Sequence, residues 1–235
     1  MWETGSRSLC FSETFRMKRV FCVGYREWAL RIYKKVQDET NNILIISKEF
    51  DEKIHIDLLE DFKPDYILFY GWSDFVPSAV TSRYKCLMLH PSRLPKYRGG
   101  SPLQNQIIRG VEKSAVTIFE MNDIMDGGRI YKQVDLSLEG DISDIFKRIE
   151  RIGVAATKDI LVGDYCAETQ DESEASAFKR RRPSESEITI EEIRSCSAKY
   201  LHDKIRMLTD PYPNAFIRTS DGKKLLITAS RIESS

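Results

Sequence analysis

A histidine and an aspartate stand at positions in this sequence where two side chains could handle a proton together. His90 ends an apolar run and is followed by a stiff, basic loop, in the stretch LMLHPSRLPKYRGG. Asp126 follows another apolar run, in MNDIMDGGRIY, beside two glycines that permit positive φ or a close approach to a ligand. An imidazole next to a carboxylate is a general base with an oriented tautomer. Such a pair suits the removal of a proton from an amine while a carbonyl collapses through a tetrahedral state.

Each of these two residues also has a purely structural interpretation. A lone histidine at a strand end is often only hydrogen-bonded at the surface. An aspartate among glycines is a common turn former, and for Asp126 taken alone this is the more ordinary interpretation. The catalytic interpretation depends on whether the fold brings His90 and Asp126 together.

Length, charge and cysteine spacing exclude several classes of protein. The 235 residues, 41% of them apolar, suffice for one domain with a small appendage. A formal net charge of zero gives no overall basic field, so nucleic acid is not the expected partner. The cysteines are scattered without metal-ligand or redox-pair spacing, which indicates reduced thiols in a cytoplasmic protein. No apolar run approaches the roughly 18 residues of a membrane span.

Apolar runs alternate with helical patterns along much of the chain. Ser101 and Pro102 form a helix start, with serine as the N-cap. The alternation predicts an α/β fold with a mainly parallel, Rossmann-like sheet covered by helices on both faces. Ligands of such sheets bind at the carboxyl ends of the strands, where His90 lies. Predicted strands cover residues 20–23, 43–46, 66–70, 86–89 and 115–121, and predicted helices cover 27–37, 54–62, 101–109 and 141–162.

Shifts in composition divide the chain into four segments. Its start resembles neither a signal peptide nor the beginning of a fold, and a tract rich in Glu, Ser, Lys and Arg interrupts its later part. The predicted segments are an extension (1–16), a catalytic domain (17–165), a linker or crossover (166–188) and a small C-terminal subdomain (189–235).

Two of these segments carry further signals. The basic run 179–182 in the linker is either a solvated stretch or a weak anion site. The C-terminal subdomain is predicted to contain a helix from 189 to about 208 and a β-hairpin over 216–232. The hairpin turns at Ser220-Asp221-Gly222, a strong turn signal.

Two motifs resemble the folate-dependent formyltransferase family. They are HPSRLPKYRGGSP, which contains His90, and AVTIFEMNDIMDGGRI, which contains Asp126. The family pattern is Asn-x-His-Pro-Ser-Leu-Leu-Pro-x-Tyr-x-Gly, then Gly-Val-Thr-Ile, then an Asp-x-Gly loop, and the His-to-Asp spacing also matches. The resemblance covers roughly residues 17–165, with weaker similarity to residue 230.

The resemblance implies transfer of a formyl group from 10-formyltetrahydrofolate to an amine, with no metal. His90 would be the general base or proton shuttle, and Asp126 would orient it and polarise the amine. The pterin is expected under the loops 70–76 and 121–126, held largely by main-chain groups, although Trp72 and Phe75 also fit a plain core. The implied donor-binding residues are Gly71, Trp72, Phe75, Ser92, Leu94, Asn122, Met125 and Asp126.

One position departs from the family pattern. The family's Asn, two residues before the histidine, is Met88, which cannot donate the hydrogen bond that this Asn gives to the oxyanion. Losing one such donor costs on the order of 10²–10³ in rate. The candidate replacements are Gln104, Asn105, Gln106 or a backbone N–H group, and Asn105 is kept among the catalytic candidates. Met88 is compatible with an active enzyme that has relocated its donor, which we favour, and with an impaired relative.

The expected acceptor is a nucleotide-linked 4-amino-4,6-dideoxy sugar. The stretch IRMLTDPYPNAF resembles sugar N-formyltransferases. In GYREW, Arg26 stands at a helix N-terminus, where a diphosphate would be favoured, although a surface arginine is an equally good interpretation. The implied acceptor-binding residues are Tyr25, Arg26, Lys96, Tyr97, Arg98 and Arg206.

Other functions stay open on the sequence. The acceptor could be methionyl-tRNA, an aminoacyl carrier or water, and the chain could bind folate or a nucleotide without catalysis. No membrane contact is expected. Apolar residues 225–227 could form a homodimer interface or only cover the sheet.

Overall fold

The computed structural model describes residues 16–163 and 165–233. Apart from Arg16, the expected extension over residues 1–16 lies outside the described residues. The strands are β1 (Arg19–Val23), β2 (Ile43–Ser47), β3 (Tyr66–Tyr70), β4 (Cys86–His90), β5 (Arg98–Gly99), β6 (Lys113–Glu120), β7 (Ile130–Ser137), β8 (Ala177–Phe178), β9 (Ala215–Arg218) and β10 (Lys224–Ile227). The helices are α1 (Glu27–Glu39), α2 (Glu52–Phe62), α3 (Ser78–Thr81), α4 (Pro102–Ile107), α5 (Ile142–Val162), α6 (Ile190–Ser195) and α7 (Ala198–Arg206), with 3₁₀ turns at Glu172–Glu174 and Pro183–Ser186.

A six-stranded sheet forms the centre of the molecule, in the order β2-β1-β3-β4-β6-β7. Strands β1 to β4 are parallel, whereas β6 is antiparallel to β4 and β7 to β6. The predicted α/β fold with a mainly parallel sheet is confirmed. The sequence patterns did not predict β7, and the antiparallel β6 matters for the site.

The sheet is buried on both faces because its central strands are apolar throughout. On one face, α1 and α5 pack against residues such as Leu68, Leu87 and Leu89. On the other face, Leu59 of α2 and Val80 of α3 cover a second cluster. Helices on both faces are the arrangement that parallel sheets require.

Tyr33 ties α1 to the carboxyl ends of β1 and β3. Its hydroxyl accepts a hydrogen bond from the backbone N–H of Tyr70 at 2.7 Å and lies 2.9 Å from the carbonyl oxygens of Val23 and Leu68. The side chain is fully buried. This contact fixes the position of the loop that leads from β1 into α1.

Two local predictions need correction. The C-terminal helix is interrupted at Cys196, which is extended, and Ser197 caps a separate helix, α7, by accepting from the Tyr200 N–H. Ser101 is not a side-chain N-cap, since its backbone is left-handed (φ 51°) and its hydroxyl instead accepts from the Arg181 N–H at 3.1 Å. The C-terminal hairpin of β9 and β10 is confirmed, with Lys224 opposite Arg218.

No helix within the described ranges combines the length and the apolar character needed to cross a bilayer. In the hairpin, Leu225 and Leu226 are both exposed.

Candidate active site

His90 and Asp126 meet in a buried site. The Nδ1 atom of His90 lies 3.5 Å from Oδ2 of Asp126, and the two side chains keep only 7% and 10% of their exposure. The same Oδ2 atom accepts a hydrogen bond from the Gly99 N–H at 2.7 Å. Because the site is shielded from water, the carboxylate interacts with the imidazole more strongly than it would at the surface.

The second ring nitrogen of His90 defines the tautomer. Its Nε2 atom lies 2.8 Å from the carbonyl oxygen of Tyr97. A carbonyl oxygen only accepts hydrogen bonds, so Nε2 must carry a proton. In the neutral imidazole the lone pair is therefore on Nδ1, the nitrogen that faces Asp126.

The loop between β6 and β7 folds back to reach His90. Because β6 is antiparallel to β4, its last residue, Glu120, lies opposite Leu87 rather than at the carboxyl end of β4. Three residues of strand, about 10 Å, separate Leu87 from His90. The loop closes this gap and places Asp126 with a φ of 52°. The path requires glycine at position 128, because a Cβ there would lie 1.6 Å from the Glu120 carbonyl oxygen.

The loop after His90 has an internal framework. Ser92 is fully buried, its hydroxyl donates to the Lys96 carbonyl at 2.7 Å, and its own carbonyl accepts from Thr117 at 2.6 Å. Leu94 is buried, and its carbonyl accepts from the Gln133 amide at 3.0 Å. Ser92 and Leu94, two of the residues that the resemblance assigned to the donor, are thus part of the structural support of this loop.

Arg98 lies inside the protein rather than facing an acceptor. Its guanidinium donates to the Gln170 side-chain oxygen at 2.7 and 3.2 Å and to the Glu172 carboxylate at 2.7 and 2.9 Å. Glu172 has a lowered pKa, chiefly because Arg98 hydrogen-bonds to its carboxylate. This geometry replaces the predicted substrate contact of Arg98 with a structural one.

The segment 166–188, predicted as a linker or crossover, packs against the loop after His90. Strand β8 pairs in parallel with β5, and β5 directly follows the loop after His90. The ring of Phe178 stacks on Tyr97 with a centroid distance of 4.9 Å. The Arg109 guanidinium also lies over the Phe178 ring, 4.2 Å from its centroid. Tyr97 is therefore held by packing, with its backbone left-handed (φ 61°).

The three amides suggested to replace the family Asn are engaged elsewhere. Asn105 donates to the carbonyl oxygens of Gly100 and Lys179, and its own side-chain oxygen accepts from Arg109. Gln106 donates to the Pro91 and Pro102 carbonyls and accepts from Ser114. The third amide, Gln104, hydrogen-bonds to Tyr212. None of these contacts directs an amide donor toward His90.

Met88 lies on the same face of β4 as His90. Residues two apart in a strand point to the same side of the sheet, and Met88 is half-buried against the second core cluster. Position 88 is therefore next to His90, where the family's Asn would stand. The thioether supplies no hydrogen-bond donor there.

The loops after β1 and β3 form a neighbouring wall. The rings of Tyr25 and Trp72 make an edge contact with centroids 5.6 Å apart. The indole N–H of Trp72 is buried and has no hydrogen-bond partner among the described residues. Gly71 has a φ of 64°, and a Cβ there would lie 2.8 Å from Cβ of Arg26.

Three predicted donor contacts lie at exposed positions. Phe75 and Met125 are 84% and 71% exposed. Asn122 caps its own loop, since its side-chain oxygen accepts from the Ile124 N–H at 3.0 Å.

Tyr212 lines a small cavity together with Arg181 and Arg182, and sequence patterns identified only parts of this region. Burial raises the pKa of Tyr212, while a hydrogen bond with Gln104 and the positive charges of Arg26 and Arg180 lower it. Within the described chain, neither Arg26 nor Arg180 has a carboxylate partner. The cavity beside Tyr212 has a volume of ≈ 80 Å³, and its lining includes Ser101, Gln104, Arg181, Arg182 and Tyr212.

The remaining predicted contacts lie elsewhere. Arg206 is buried and donates to Asp203 and to the Leu138 and Gly140 carbonyls, so its guanidinium is structural. Lys96 is exposed and pairs with Glu174 at 2.8 Å. Across the part of the chain that the structure describes, no group of three or more His, Cys, Asp or Glu side chains is arranged to hold a metal.

Sequence reasoning missed Gln170. The residue stands in the polar tract after α5, without a motif around it, and is 5% exposed. A glutamine in such a tract gives no signal of burial. Its contacts are visible only in the folded structure.

The doubly covered α/β sheet carries a buried His–Asp pair, an arrangement that can take part in acid–base chemistry. The family model described as formyl transferase matches residues 25–158, and the chain belongs to this family. The resemblance drawn from the two motifs is confirmed.

Among curated relatives, the chain is similar to methionyl-tRNA formyltransferase from Ligilactobacillus salivarius. The two are 31% identical over 172 residues, which are 70% of this chain and 52% of that protein. The chain spans about half the length of the curated relatives it matches.

Solved structures share the fold. Methionyl-tRNA formyltransferase from Clostridium thermocellum is 28% identical, with a TM-score of 0.78 over 90% of this chain and 97% of that chain. A 4-N formyltransferase from Francisella tularensis has a TM-score of 0.72 at 20% identity, over 93% of this chain and 99% of that chain. HypX from Aquifex aeolicus, solved with tetrahydrofolic acid, has a TM-score of 0.74 at 19% identity, over 90% of this chain and 37% of that chain. At these last two identities the likeness shows the fold alone.

Proposed function

We propose that this protein transfers the formyl group of 10-formyltetrahydrofolate to the amine of a nucleotide-linked 4-amino-4,6-dideoxy sugar. The observation that carries the reaction type is the buried pair of His90 and Asp126, 3.5 Å apart, in a chain of the formyl transferase family. An amine that attacks a formyl carbon must lose a proton, and a positioned imidazole with a carboxylate partner can accept it.

The residues around the pair fit a folate. The buried N–H of Trp72 lacks an acceptor within the described residues, and Phe75 and Met125 expose apolar side chains on the two loops expected to hold the pterin. A flat heterocycle with hydrogen-bond acceptors would accept a hydrogen bond from the Trp72 N–H and cover the apolar side chains of Phe75 and Met125. Bound 10-formyltetrahydrofolate supplies an electrophilic formyl carbon.

In the proposed mechanism, Nδ1 of His90 accepts the proton from the amine nitrogen as the new C–N bond forms. The carbonyl oxygen of Tyr97 accepts a hydrogen bond from the protonated Nε2 atom. In the resulting imidazolium, Nε2 therefore faces Tyr97 and Nδ1 faces the Asp126 carboxylate. The Asp126 carboxylate stabilises that imidazolium at short range. His90 then gives the proton to the leaving nitrogen, which returns the pair to its starting state.

The acceptor assignment is supported by the arginines near Tyr212. Arg181 and Arg182 line the cavity beside Tyr212, and the positive charges of Arg26 and Arg180 lower its pKa. Neither Arg26 nor Arg180 is neutralised by a carboxylate in the described chain. Arg26 also begins α1, whose first turn has no side-chain cap. Arginines beside the free N–H groups of a helix N-terminus suit a diphosphate.

A second candidate acceptor is methionyl-tRNA. The observation in its favour is that curated relatives at 27–31% identity carry the name methionyl-tRNA formyltransferase. The formal net charge of zero counts against a nucleic acid partner, which depends on neutralising phosphates.

An acceptor screen by mass spectrometry tests the proposal. Purified protein is mixed with 10-formyltetrahydrofolate and, separately, with UDP-, dTDP- and GDP-linked 4-amino sugars, methionyl-tRNA and no acceptor. A mass gain of one formyl group on a sugar nucleotide supports the proposal and names the substrate. Transfer to methionyl-tRNA alone would overturn the acceptor assignment but retain the reaction.

Two further outcomes would reject more of the proposal. Free formate without an acceptor would make water the acceptor and the protein a hydrolase. Folate binding without transfer to any acceptor would identify a binding protein in which Met88 marks a loss of catalysis.

A further inference from the structure

Asp126 is held in a conformation that its own sequence neighbours do not enforce. Its φ is 52°, in the left-handed region, and it is followed by Gly127 and Gly128, the most flexible residues of a chain. Left-handed backbone at a non-glycine residue persists when surrounding contacts over-determine it. An external contact must therefore fix the direction of this carboxylate.

Gln170 makes that contact with both ends of its amide. Its Nε2 donates to the carbonyl oxygens of Asp126 and Gly128 at 2.9 and 2.7 Å. Its Oε1 accepts from Nη2 and Nε of Arg98 at 2.7 and 3.2 Å. A reversed amide would place N–H groups against the guanidinium donors, so the orientation of the amide is determined by its partners.

Arg98 is fixed in turn by its other contacts. Its side chain is 7% exposed and forms an ion pair with Glu172 at 2.7 Å. The next residue, Gly99, donates its backbone N–H to Oδ2 of Asp126. Asp126 thus accepts a hydrogen bond from Gln170 at its backbone carbonyl and one from Gly99 at its carboxylate. Arg98 hydrogen-bonds to Gln170 and precedes Gly99 in the chain, so it links the two contacts.

We propose that Gln170 is a positioning residue that directs the Asp126 carboxylate at His90. The inference rests on the proposed function, in which that pair handles the amine proton. The two hydrogen bonds from Gln170 stop the Asp126 peptide from rotating, which keeps Oδ2 beside Nδ1 of His90. Small misplacements of a catalytic group, near 1 Å, can cost about 10²-fold in rate.

The discriminating variant is Gln170→Glu. A glutamate keeps the size of the side chain and its acceptor toward Arg98 but cannot donate to the two carbonyls as a carboxylate. We expect kcat to fall by about 10- to 100-fold, with KM for donor and acceptor changed by less than about 3-fold. Gln37→Glu, on the exposed face of α1, adds the same charge away from the site and should leave kcat unchanged.

A double-mutant cycle separates positioning from general destabilisation. If Gln170 acts through Asp126, then Gln170→Glu should change kcat by less than about 2-fold once Asp126→Asn has removed the carboxylate. Full additivity of the two effects would show that Gln170 does not act through Asp126 and would overturn the proposal.

Hydrogen exchange gives a readout that does not depend on turnover. We expect Gln170→Glu to accelerate amide exchange in the segment 122–129 while the core strands keep their protection. Unchanged exchange there would overturn the positioning role even if the acceptor assignment is correct. A wild-type protein without formyl transfer would instead remove the proposed function, and the exchange data would still decide whether Gln170 restrains Asp126.

Discussion

Oδ2 of Asp126 lies 3.5 Å from Nδ1 of His90. His90 ends β4, whereas Asp126 follows β6, and because these strands are antiparallel their carboxyl ends lie at opposite edges of the sheet. The two residues are in contact because the loop after β6 returns along the sheet toward the carboxyl end of β4. The same carboxylate oxygen accepts the Gly99 N–H, so the loop after His90 also holds Asp126. The contact between His90 and Asp126 therefore depends on two loops that hold each other in place.

His90→Asn and Asp126→Asn should each lower turnover by at least about 10²-fold. The first removes the imidazole that takes up the amine proton, and the second removes the carboxylate that stabilises the imidazolium. Steady-state formyl transfer measures the loss, and thermal melts should show that folding is intact. His202→Asn is the matched control, since His202 contacts Ser230 and lies outside the site. Near-normal turnover in either site variant would remove that residue from the mechanism.

Met88→Asn should retain activity. The position shares a face of β4 with His90, and the new amide would supply the donor that Gln104, Asn105 and Gln106 do not direct there. The kinetic constants of the variant, compared with the wild type, check this expectation. Loss of activity would mean that Met88 has a packing role that an amide cannot fulfil.

Arg26→Ala and Arg180→Ala should raise KM for the sugar nucleotide by about 10-fold or more, while kcat changes little. The reason is that each guanidinium would bind the diphosphate in the ground state and the transition state alike. Arg194→Ala, at an exposed arginine of α6, is the control with the same loss of charge. An unchanged KM in both site variants would place the diphosphate elsewhere.

Tyr33→Phe should lower the free energy of unfolding by about 1–3 kcal/mol, because the buried Tyr70 N–H loses its acceptor. Urea unfolding should show a lower midpoint with an unchanged m value. Tyr84→Phe removes a hydroxyl with no hydrogen bond in the described structure and should stay within about 0.5 kcal/mol. Equal stability of the two variants would contradict the role given to Tyr33.

Cys86 should resist alkylation in the native state. Burial raises its pKa from 9.0 to about 12, so almost no reactive thiolate forms near neutral pH. The folded state binds this proton more tightly than the unfolded state, so the thiol's contribution makes the free energy of unfolding fall as pH rises above 9.0. Exposed Cys166 should be labelled first, as peptide mass spectrometry would show, and early labelling of Cys86 would contradict its burial.

The sequence by itself determined the parallel strands β1 to β4, the family and the two residues proposed as the centre of the site. Apolar runs such as 66–70 are long enough and flanked clearly enough to identify strands. His90 and Asp126 stand in motifs whose residue types are dictated locally, by a strand end and a glycine loop. Such local signals survive without knowledge of the fold.

The tertiary structure alone decided which polar residues support that site. Arg98 looked like a substrate contact and Gln170 like part of a linker, because polarity in sequence usually indicates exposure. In the fold, where β5 pairs with β8, both side chains are buried. Arg98 donates a hydrogen bond to Gln170, and Gln170 donates one to the Asp126 carbonyl. Hydrogen bonds between residues some 70 positions apart depend on chain packing, which no local pattern encodes.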